Sequence, residues 1–256
     1  MRIRPACTIL VTLALAACAH HPADEPADPL EPVNRAVWSF NHTADQYVLK
    51  PVAQGYVDVT PDWAREGISN FFGNLTYPTT IVNDFLQAKF KQGVADTGRF
   101  VVNSTYGVGG LIDVGERVGL HRHDEDFGQT LGYWGVGEGW FLMLPLLGPS
   151  DNRDLIGRGF DSFTTPTRYL PGRYDLPNYA VTLGLYTINL RANLLPSDSL
   201  MESQFDTYLF IRTAYLQHRQ ALVYDGNPPP EDLGLSDIDD SDSAKPKAGD
   251  KPAPAK

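Results

Sequence analysis

Apolar residues recur at helical spacing along most of this chain. The first stripe has five members spaced four, three, four and three apart: Val33, Val37, Phe40, Ala44 and Tyr47. Such spacing places side chains on one face of an α-helix. Pro51 is expected to end this helix, because proline inside a helix removes a hydrogen bond and clashes with the preceding turn.

Further helices are predicted along the rest of the body. The pair Thr60-Pro61 supplies an N-cap followed by proline at the first helical position, and the helix it starts should run to about Phe72. Another stripe follows the pair Tyr77-Pro78, over 81–86. The remaining helical segments are predicted at 93–106, 113–119, 129–134, 154–163, 178–194 and 204–224.

Strand signals are weak by comparison. Only 140–147 and 100–102 have strand-like composition. With 42% hydrophobic and 11% aromatic residues, the 256-residue chain is long enough for one domain with a sizeable core. The pattern therefore predicts an all-α, predominantly helical domain from 28 to 225, with long connecting loops.

The first 17 residues have the pattern of a secretory signal. Arg2 and Arg4 precede an apolar stretch from 9 to 17. The run Leu15-Ala16-Ala17-Cys18 then resembles the bacterial lipobox, in which the cysteine is acylated and becomes the first mature residue. Cys18 is the predicted lipidation site, at the head of a lipidated tether over 18–27. An ordinary signal peptide cut near Ala17 is the alternative.

The other end of the chain has little to bury. From 226 to 256 the sequence is rich in proline, aspartate and lysine, and such a composition does not offset the entropy lost on ordering. This tail is predicted to be disordered. Loss of Arg2 and Arg4 with the signal changes the formal net charge from −10 to −12, which disfavours nucleic acid as a partner.

Motifs of common enzymes are missing from the sequence. It contains no G-x-S-x-G nucleophile turn and no G-x-x-x-x-G-K-[ST] phosphate loop. A metal-like group has the composition of a polar loop between helices, and no distant cysteine or histidine stands out as its partner; it consists of His121, His123, Asp124, Glu125 and Asp126. We therefore expect a binding or transport protein without catalytic, cofactor or metal residues.

The last predicted helix carries Arg212 and Arg219 on its apolar face, seven residues apart. Charges on such a face are costly unless they are paired or hydrated. One interpretation is that the face borders a water-filled or headgroup-accepting space. The other is that the arginines reach the rim or pair with acids elsewhere in the core.

The stretch from 124 to 150 combines glycine, aromatic residues and an apolar run. That run, 140–147, has eight residues, whereas a helix that crosses a bilayer needs roughly 20. It can be buried or dip into a membrane, but it is too short to span one. The glycines before it permit backbone shapes that other residues resist.

Several sequence blocks stand in the order found in one known family. They are Asp28-Pro29-Leu30-Glu31-Pro32-Val33-Asn34-Arg35 with Trp38, Phe40 and Asn41; 67–75; Pro78 with Val82-Asn83; Arg99-Phe100 with Asn103-Ser104; 109–114; 126–132; 135–137; and 144–150. These blocks cover nearly all of 28–225. On them the chain resembles the MlaA (VacJ) family of outer-membrane lipoproteins.

The resemblance implies a ring-like assembly of amphipathic helices in the inner leaflet of a Gram-negative outer membrane, beside a trimeric porin. It also implies a function: removing misplaced phospholipids from the outer leaflet through an amphipathic channel. A periplasmic phospholipid-binding protein of the same pathway would receive them, which maintains lipid asymmetry. The alternative is a structural or assembly lipoprotein that docks on porins without moving lipid.

Within such a ring, the run 140–147 is expected to be embedded or to dip into one leaflet, with the glycines beside it at the lipid path or in a gate. A packed loop that supports the helices is the alternative. The candidate lipid-path or gate residues are Gly135, Gly137, Gly139, Trp140, Phe141, Leu142, Leu144 and Leu146, and the candidate polar lining is Arg212 and Arg219.

Overall fold

The computed structural model describes residues 28–165 and 176–229. The predicted signal peptide, Cys18, the tether over 18–27 and the tail beyond 229 lie outside the described residues. So do Pro166 and Pro171 of the segment between the seventh and eighth helices.

Helices dominate the described residues, as the sequence predicted. In chain order they are α1 (Glu31–Ala44), α2 (Lys50–Val59), α3 (Asp62–Leu86), α4 (Phe90–Thr105), α5 (Val114–Arg117), α6 (Phe127–Tyr133), α7 (Asn152–Thr164), α8 (Leu176–Leu194), α9 (Asp198–Glu202) and α10 (Thr207–Val223). A π-helical turn, Asp45–Leu49, joins α1 to α2, and a 3₁₀ turn, Leu195–Ser197, joins α8 to α9.

The prediction that Pro51 ends the first helix is wrong. The chain continues helically from α1 through the π-helical turn into α2, and Pro51 occupies the first turn of α2. A proline ring clashes with the carbonyl four residues earlier in a regular α-helix. A π-helical turn has a wider hydrogen-bond spacing than an α-helix, and it stands directly before the proline here.

The two helices predicted on either side of Tyr77-Pro78 are one helix of 25 residues, α3. It begins after Pro61 with no side-chain cap, so the prediction of Thr60 as its N-cap is also wrong. Pro78 lies in its interior. Two residues earlier, the Thr76 hydroxyl donates to the carbonyls of Phe72 and Gly73, at 3.3 and 3.0 Å. Contacts with α4, α6, α7 and α8 hold α3 together where local propensity favours a break.

One of the two strand predictions is confirmed. Residues 100–102 belong to α4, where β-branched composition is overridden by helical packing. The run 140–147 forms the strand β1 (Phe141–Leu144), which turns back into β2 (Gly148–Asp151). The two strands are antiparallel, with Phe141 opposite Asp151 and Leu144 opposite Gly148.

Contacts between elements close into a circuit, which confirms the predicted ring-like arrangement. Starting from α1, the order of contact is β1, β2, α10, α6, α7, α3, α8 and α2, which returns to α1 through the π-helical turn. Arg191 of α8 supports one side of the circuit by pairing with Asp45 at 2.7 Å and with Asp198 at 3.0 Å. The chain is thus tied across long sequence separations by polar contacts.

The distribution of polarity is inverted relative to a water-soluble domain. Buried side chains are mostly polar or charged, and large apolar side chains are widely exposed. Helix α4 shows the pattern: Asp96 and Arg99 are buried, while Phe90 and Val94 are 64% and 66% exposed. The sizeable apolar core expected from composition is therefore wrong: the apolar surface faces outward, and polar side chains pack the interior.

Candidate functional site

The β1–β2 hairpin is fastened to α1 by two asparagine side chains. Asn34 donates to the Phe141 carbonyl at 3.0 Å and accepts from the Met143 N–H at 2.9 Å. Asn41, two turns later, makes the same pair of bonds to the Leu144 carbonyl and the Leu146 N–H, at 2.9 and 2.8 Å. Helix α1 therefore stands where a third strand would pair, and it satisfies an edge that would otherwise be open.

The two faces of β1 differ in their surroundings. Phe141 is buried and makes edge-on ring contacts with Tyr208 and Tyr215, with centroids 6.1 and 6.0 Å apart. Leu142 and Leu144, on the other face, are half-buried. At the tip of the hairpin, Leu146 is 74% exposed and holds a left-handed backbone conformation with φ of 60°. The candidate lipid-path residues thus divide between core, flank and exposed tip.

The three candidate glycines lie in the exposed connection between α6 and β1. Gly135 and Gly139 have φ of 89° and 75°, in the left-handed region that favours glycine. A Cβ on Gly139 would also lie 3.0 Å from the Cβ of Asn152, whereas Gly137 has open space around it. Trp140 follows them and is half-exposed. Two of these glycines are required by the turn itself, and Gly137 is not.

An aromatic cluster lies beside this connection on the outer surface. Phe127 and Phe160 are stacked with centroids 3.9 Å apart, and Phe127 meets Trp134 edge-on. The indole N–H of Trp134 donates to the Leu86 carbonyl at 3.2 Å, although the ring is 54% exposed. A tryptophan that keeps its polar atom satisfied and its ring open is suited to an interface between lipid and water.

Arg219 is buried and held by two carboxylates. Its guanidinium donates to both oxygens of Asp126, at 2.6 and 2.9 Å, and to Asp154 at 2.8 Å. Tyr215 donates to the same Asp154. Burial alone would raise the pKa of Asp126, but the hydrogen bonds and charge of Arg219 outweigh it and hold that pKa below its ordinary value. Arg219 therefore pairs with acids of α7 and of the N-cap of α6.

A polar cavity of about 110 Å³ adjoins this cluster. Burial raises the pKa of one of its carboxyls, Asp161, to about 6. The space is large enough for a few water molecules but is far below the roughly 300–1,000 Å³ of small-molecule sites. It is therefore too small to be a phospholipid path. The residues around it are Asp126, Asp154, Arg158, Asp161, Tyr215 and Arg219.

Arg212 lies two turns before Arg219 on α10 and is half-buried. Its charge is close enough to the Tyr208 hydroxyl to affect the pKa of that group. The two candidate lining arginines thus have different surroundings: Arg219 lies inside a carboxylate cluster, and Arg212 stands nearer the base of the hairpin.

The start of the described chain is fastened at the same place. Asp28 accepts hydrogen bonds from the Asn34 amide at 3.0 Å, from the Leu30 N–H at 3.1 Å and from the Tyr208 hydroxyl. Arg35 covers the Tyr208 ring at 4.4 Å from its centroid and pairs with Asp206 at 2.7 Å. The block that begins at Asp28 therefore joins α1, β1 and the N-terminus of α10.

The polar loop before α6 uses its histidines within the protein. The Nδ1 of His121 lies 3.0 Å from Glu116, and that of His123 lies 3.0 Å from Asp96. Within 28–165 and 176–229, no group of three or more His, Cys, Asp or Glu residues is arranged to hold a metal ion.

Sequence reasoning assigned no role to Asn34 and Asn41, although both stand in the family-like block. Their seven-residue spacing, which puts them on one helix face, was the available signal. Asp126 and Asp154 gave no comparable signal, because their partner Arg219 is distant in sequence.

The fold and site define a class: a ring-like helical protein with ion pairs inside and apolar side chains outside. None of the described helices is long and apolar enough to cross a membrane. The family model described as MlaA lipoprotein matches residues 26–222. The chain therefore belongs to the MlaA lipoprotein family.

Among the relatives that carry the name intermembrane phospholipid transport system lipoprotein MlaA are one from Escherichia coli (strain K12) and one from Haemophilus influenzae. The one from Escherichia coli (strain K12) is 36% identical over 245 residues, which cover 91% of this chain and 93% of the relative. The one from Haemophilus influenzae is 31% identical over 227 residues, 85% of this chain and 89% of the relative. A solved structure from work on the structural basis for maintenance of bacterial outer membrane lipid asymmetry superposes with a TM-score of 0.68. Its identity is 38%, covering 77% of this chain and 99% of that one.

Proposed function

We propose that this protein removes misplaced phospholipids from the outer leaflet of the outer membrane and passes them to a periplasmic carrier, which maintains lipid asymmetry. The observation that carries the proposal is the inverted polarity of a ring-like helical domain. Its relatives are named as phospholipid transport lipoproteins. No catalytic step is part of the proposal.

A phospholipid in transit needs an apolar environment for its acyl chains and a polar one for its headgroup. The exposed apolar side chains of α4 and of the hairpin tip suit the first requirement. The polar side chains packed between α3, α6, α7 and α10 suit the second. A closed circuit of helices lets both kinds of surface stand within one small protein.

The anchor of the proposed protein is Cys18, acylated in the inner leaflet of the outer membrane on the periplasmic side. Stable anchoring takes more than one acyl chain, as lipoprotein processing of this cysteine would supply. Cys18→Ala should abolish membrane retention and transport. Cys7→Ala is the matched control, because that cysteine leaves with the signal, and it should behave as wild type.

A trimeric porin and a periplasmic phospholipid-binding protein are the proposed partners, with phospholipid as the cargo. Nucleic acid is not among them, since the formal net charge is −10. Deletion of the gene should raise outer-leaflet phospholipid and detergent sensitivity, and the wild-type gene should restore both. Unchanged lipid distribution in the deletion strain would refute the proposal.

Docking on porins without lipid movement is the structural alternative. A photo-crosslinker at Leu146 distinguishes the two, because this tip residue is 74% exposed. Crosslinked phospholipid supports transport, and crosslinks to porin alone support the alternative. A crosslinker at the exposed Asp58 of α2 controls for random lipid contact.

The proposed gate is the glycine connection before β1. Gly137→Ala tests it most cleanly, because this position has open space and needs no left-handed backbone. Gly135→Ala and Gly139→Ala strain the fold itself by roughly 1–2 kcal/mol each. Normal lipid asymmetry in stably folded Gly137→Ala, and also in Gly135→Ala or Gly139→Ala expressed to the wild-type protein level, would show that the connection is a supporting loop.

A further inference from the structure

The contact between α3 and α4 contains two carboxyl groups that are closed to solvent. Asp84 lies near the end of α3 and Asp96 in the middle of α4, and both are 0% exposed. Gly93 lets the helices approach here, because a Cβ at this position would lie 3.2 Å from that of Asp84. Backbone packing therefore holds the two carboxyl groups together and keeps them out of water.

Some of the four carboxyl oxygens of Asp84 and Asp96 accept hydrogen bonds from surrounding side chains. Asp96 Oδ1 accepts from the Tyr77 hydroxyl at 2.7 Å and lies 3.0 Å from His123 Nδ1. Asp84 Oδ1 accepts from the Gln92 amide at 2.8 Å. Asp84 Oδ2 is buried and has no donor among the described residues, and the Asp84 side chain lies close enough to that of Asp96 for a hydrogen bond between the two. A buried oxygen without a hydrogen bond lowers the stability of the folded protein. A proton between the two carboxyl groups would supply the missing hydrogen bond.

Lys89 and Arg99, the lysine and arginine nearest to the two carboxyl groups, are engaged with other acids, whereas His123 faces Asp96. Lys89, just before α4, pairs with Glu125 at 2.9 Å and also with Asp225. Arg99, one turn beyond Asp96, donates to Asp113, Glu116 and the Leu120 carbonyl.

A negative charge on Asp84 would therefore face Asp96 and Glu125 at close range. Burial first, and then the hydrogen bond and repulsion of Asp96, raise the pKa of Asp84 above its ordinary value.

We propose that Asp84 and Asp96 share one proton in the folded protein, and that this proton is a pH-sensitive lock on the contact between α3 and α4. In the locked state, Asp84 donates through Oδ2 to the Asp96 carboxylate. When the proton leaves to solvent, two buried carboxylates face each other and the helices separate to admit water. This device is independent of the proposed lipid transport.

The sign of the pH dependence follows from the raised pKa. The stability that the proton contributes is fully present below the ordinary carboxyl pKa of the unfolded chain, and it is lost as pH rises through the folded value. One proton changes the folding equilibrium constant by up to about tenfold per pH unit in that window. Replacement of Asp84 by asparagine should remove this dependence, because an amide donates to Asp96 without titrating.

Infrared spectroscopy of the folded protein in detergent at neutral pH tests the shared proton directly. The difference spectrum between wild type and Asp84→Asn should contain a protonated-carboxyl band. Asp58→Asn, which removes an exposed acid of α2, should give no such difference. A wild-type spectrum whose protonated-carboxyl absorption is unchanged in Asp84→Asn would overturn the proposal.

Urea unfolding as a function of pH tests the lock. Wild type and Asp58→Asn should lose stability as pH rises, with up to about a tenfold fall in folding constant per unit, and Asp84→Asn should lose less. Should Asp84→Asn fail to fold, Asp96→Asn presents an amide to Asp84 from the other side and supplies the same comparison. Equal pH slopes in wild type and in the folded variant refute the lock.

Discussion

Gly157 of α7 is the position where one methyl group should be most damaging. A Cβ there would lie 2.8 Å from the Cα of Gly128 in α6 and still closer to its amide nitrogen. The backbone of α6 has little room to move away, because Gly128 is itself packed against Asp154 and Arg219. Overpacking costs about 1–3 kcal/mol, and a rigid backbone neighbour favours the upper end. The gain in helix propensity from alanine offsets about 1 kcal/mol. We expect Gly157→Ala to lose about 2 kcal/mol net.

The matched control is Gly159→Ala, two residues along the same helix, where no atom lies within 4 Å of the added Cβ. It should gain up to about 1 kcal/mol, which makes the two variants differ by about 3 kcal/mol. At roughly 2–4 °C per kcal/mol for a domain of this size, the melting temperatures by circular dichroism should differ by about 6–12 °C. Equal melting temperatures would refute the close contact between α6 and α7.

Three further outcomes are expected. Arg219→Met should lower the free energy of unfolding by about 3 kcal/mol, the lower end for a broken buried ion pair, because the half-buried Asp126 loses its cation and the buried Asp154 keeps only Arg153, at 3.4 Å; a loss below 1 kcal/mol in urea titrations would contradict the pairing. Asp126 has a lowered pKa, so its contribution to stability is present above the ordinary carboxyl pKa and should be lost as pH falls through the lowered value. In Asp126→Asn, the melting temperature should therefore fall less steeply at acid pH than in the wild type. Val94→Ser should leave the free energy of unfolding within about 0.5 kcal/mol while weakening binding to phospholipid vesicles, and unchanged vesicle binding would show that this face of α4 does not contact lipid.

The first stripe shows how far periodicity reaches. It predicted α1 correctly, yet Val33, Phe40 and Tyr47 are exposed, and the buried line of the helix includes Asn34. Periodicity reports that one face of a helix is apolar. Which way that face points depends on whether water or lipid surrounds the protein, and a helical stripe carries no information about this.

Prolines were the other source of error. Pro51 and Pro78 were treated as breaks from local rules that hold in isolated helices. In the structure, a π-helical turn precedes one of them, and packing along the length of α3 holds the other inside a helix. The hairpin was half predicted: the strand-like run was visible in the sequence, whereas its attachment through Asn34 and Asn41 required knowing that α1 lies beside it.

The hydrogen bonds of Asp28 to Tyr208 and Asn34 fix the start of the folded domain. They therefore limit the distance between the domain and the proposed lipid anchor, Cys18. Ten peptide steps separate Cys18 from Asp28, and at roughly 3.3–3.6 Å each they span at most about 36 Å. With Cys18 acylated as proposed, the domain would be free to turn and to shift along the leaflet, but it would stay within that radius of the membrane. A phospholipid that must travel farther has to be handed to another molecule.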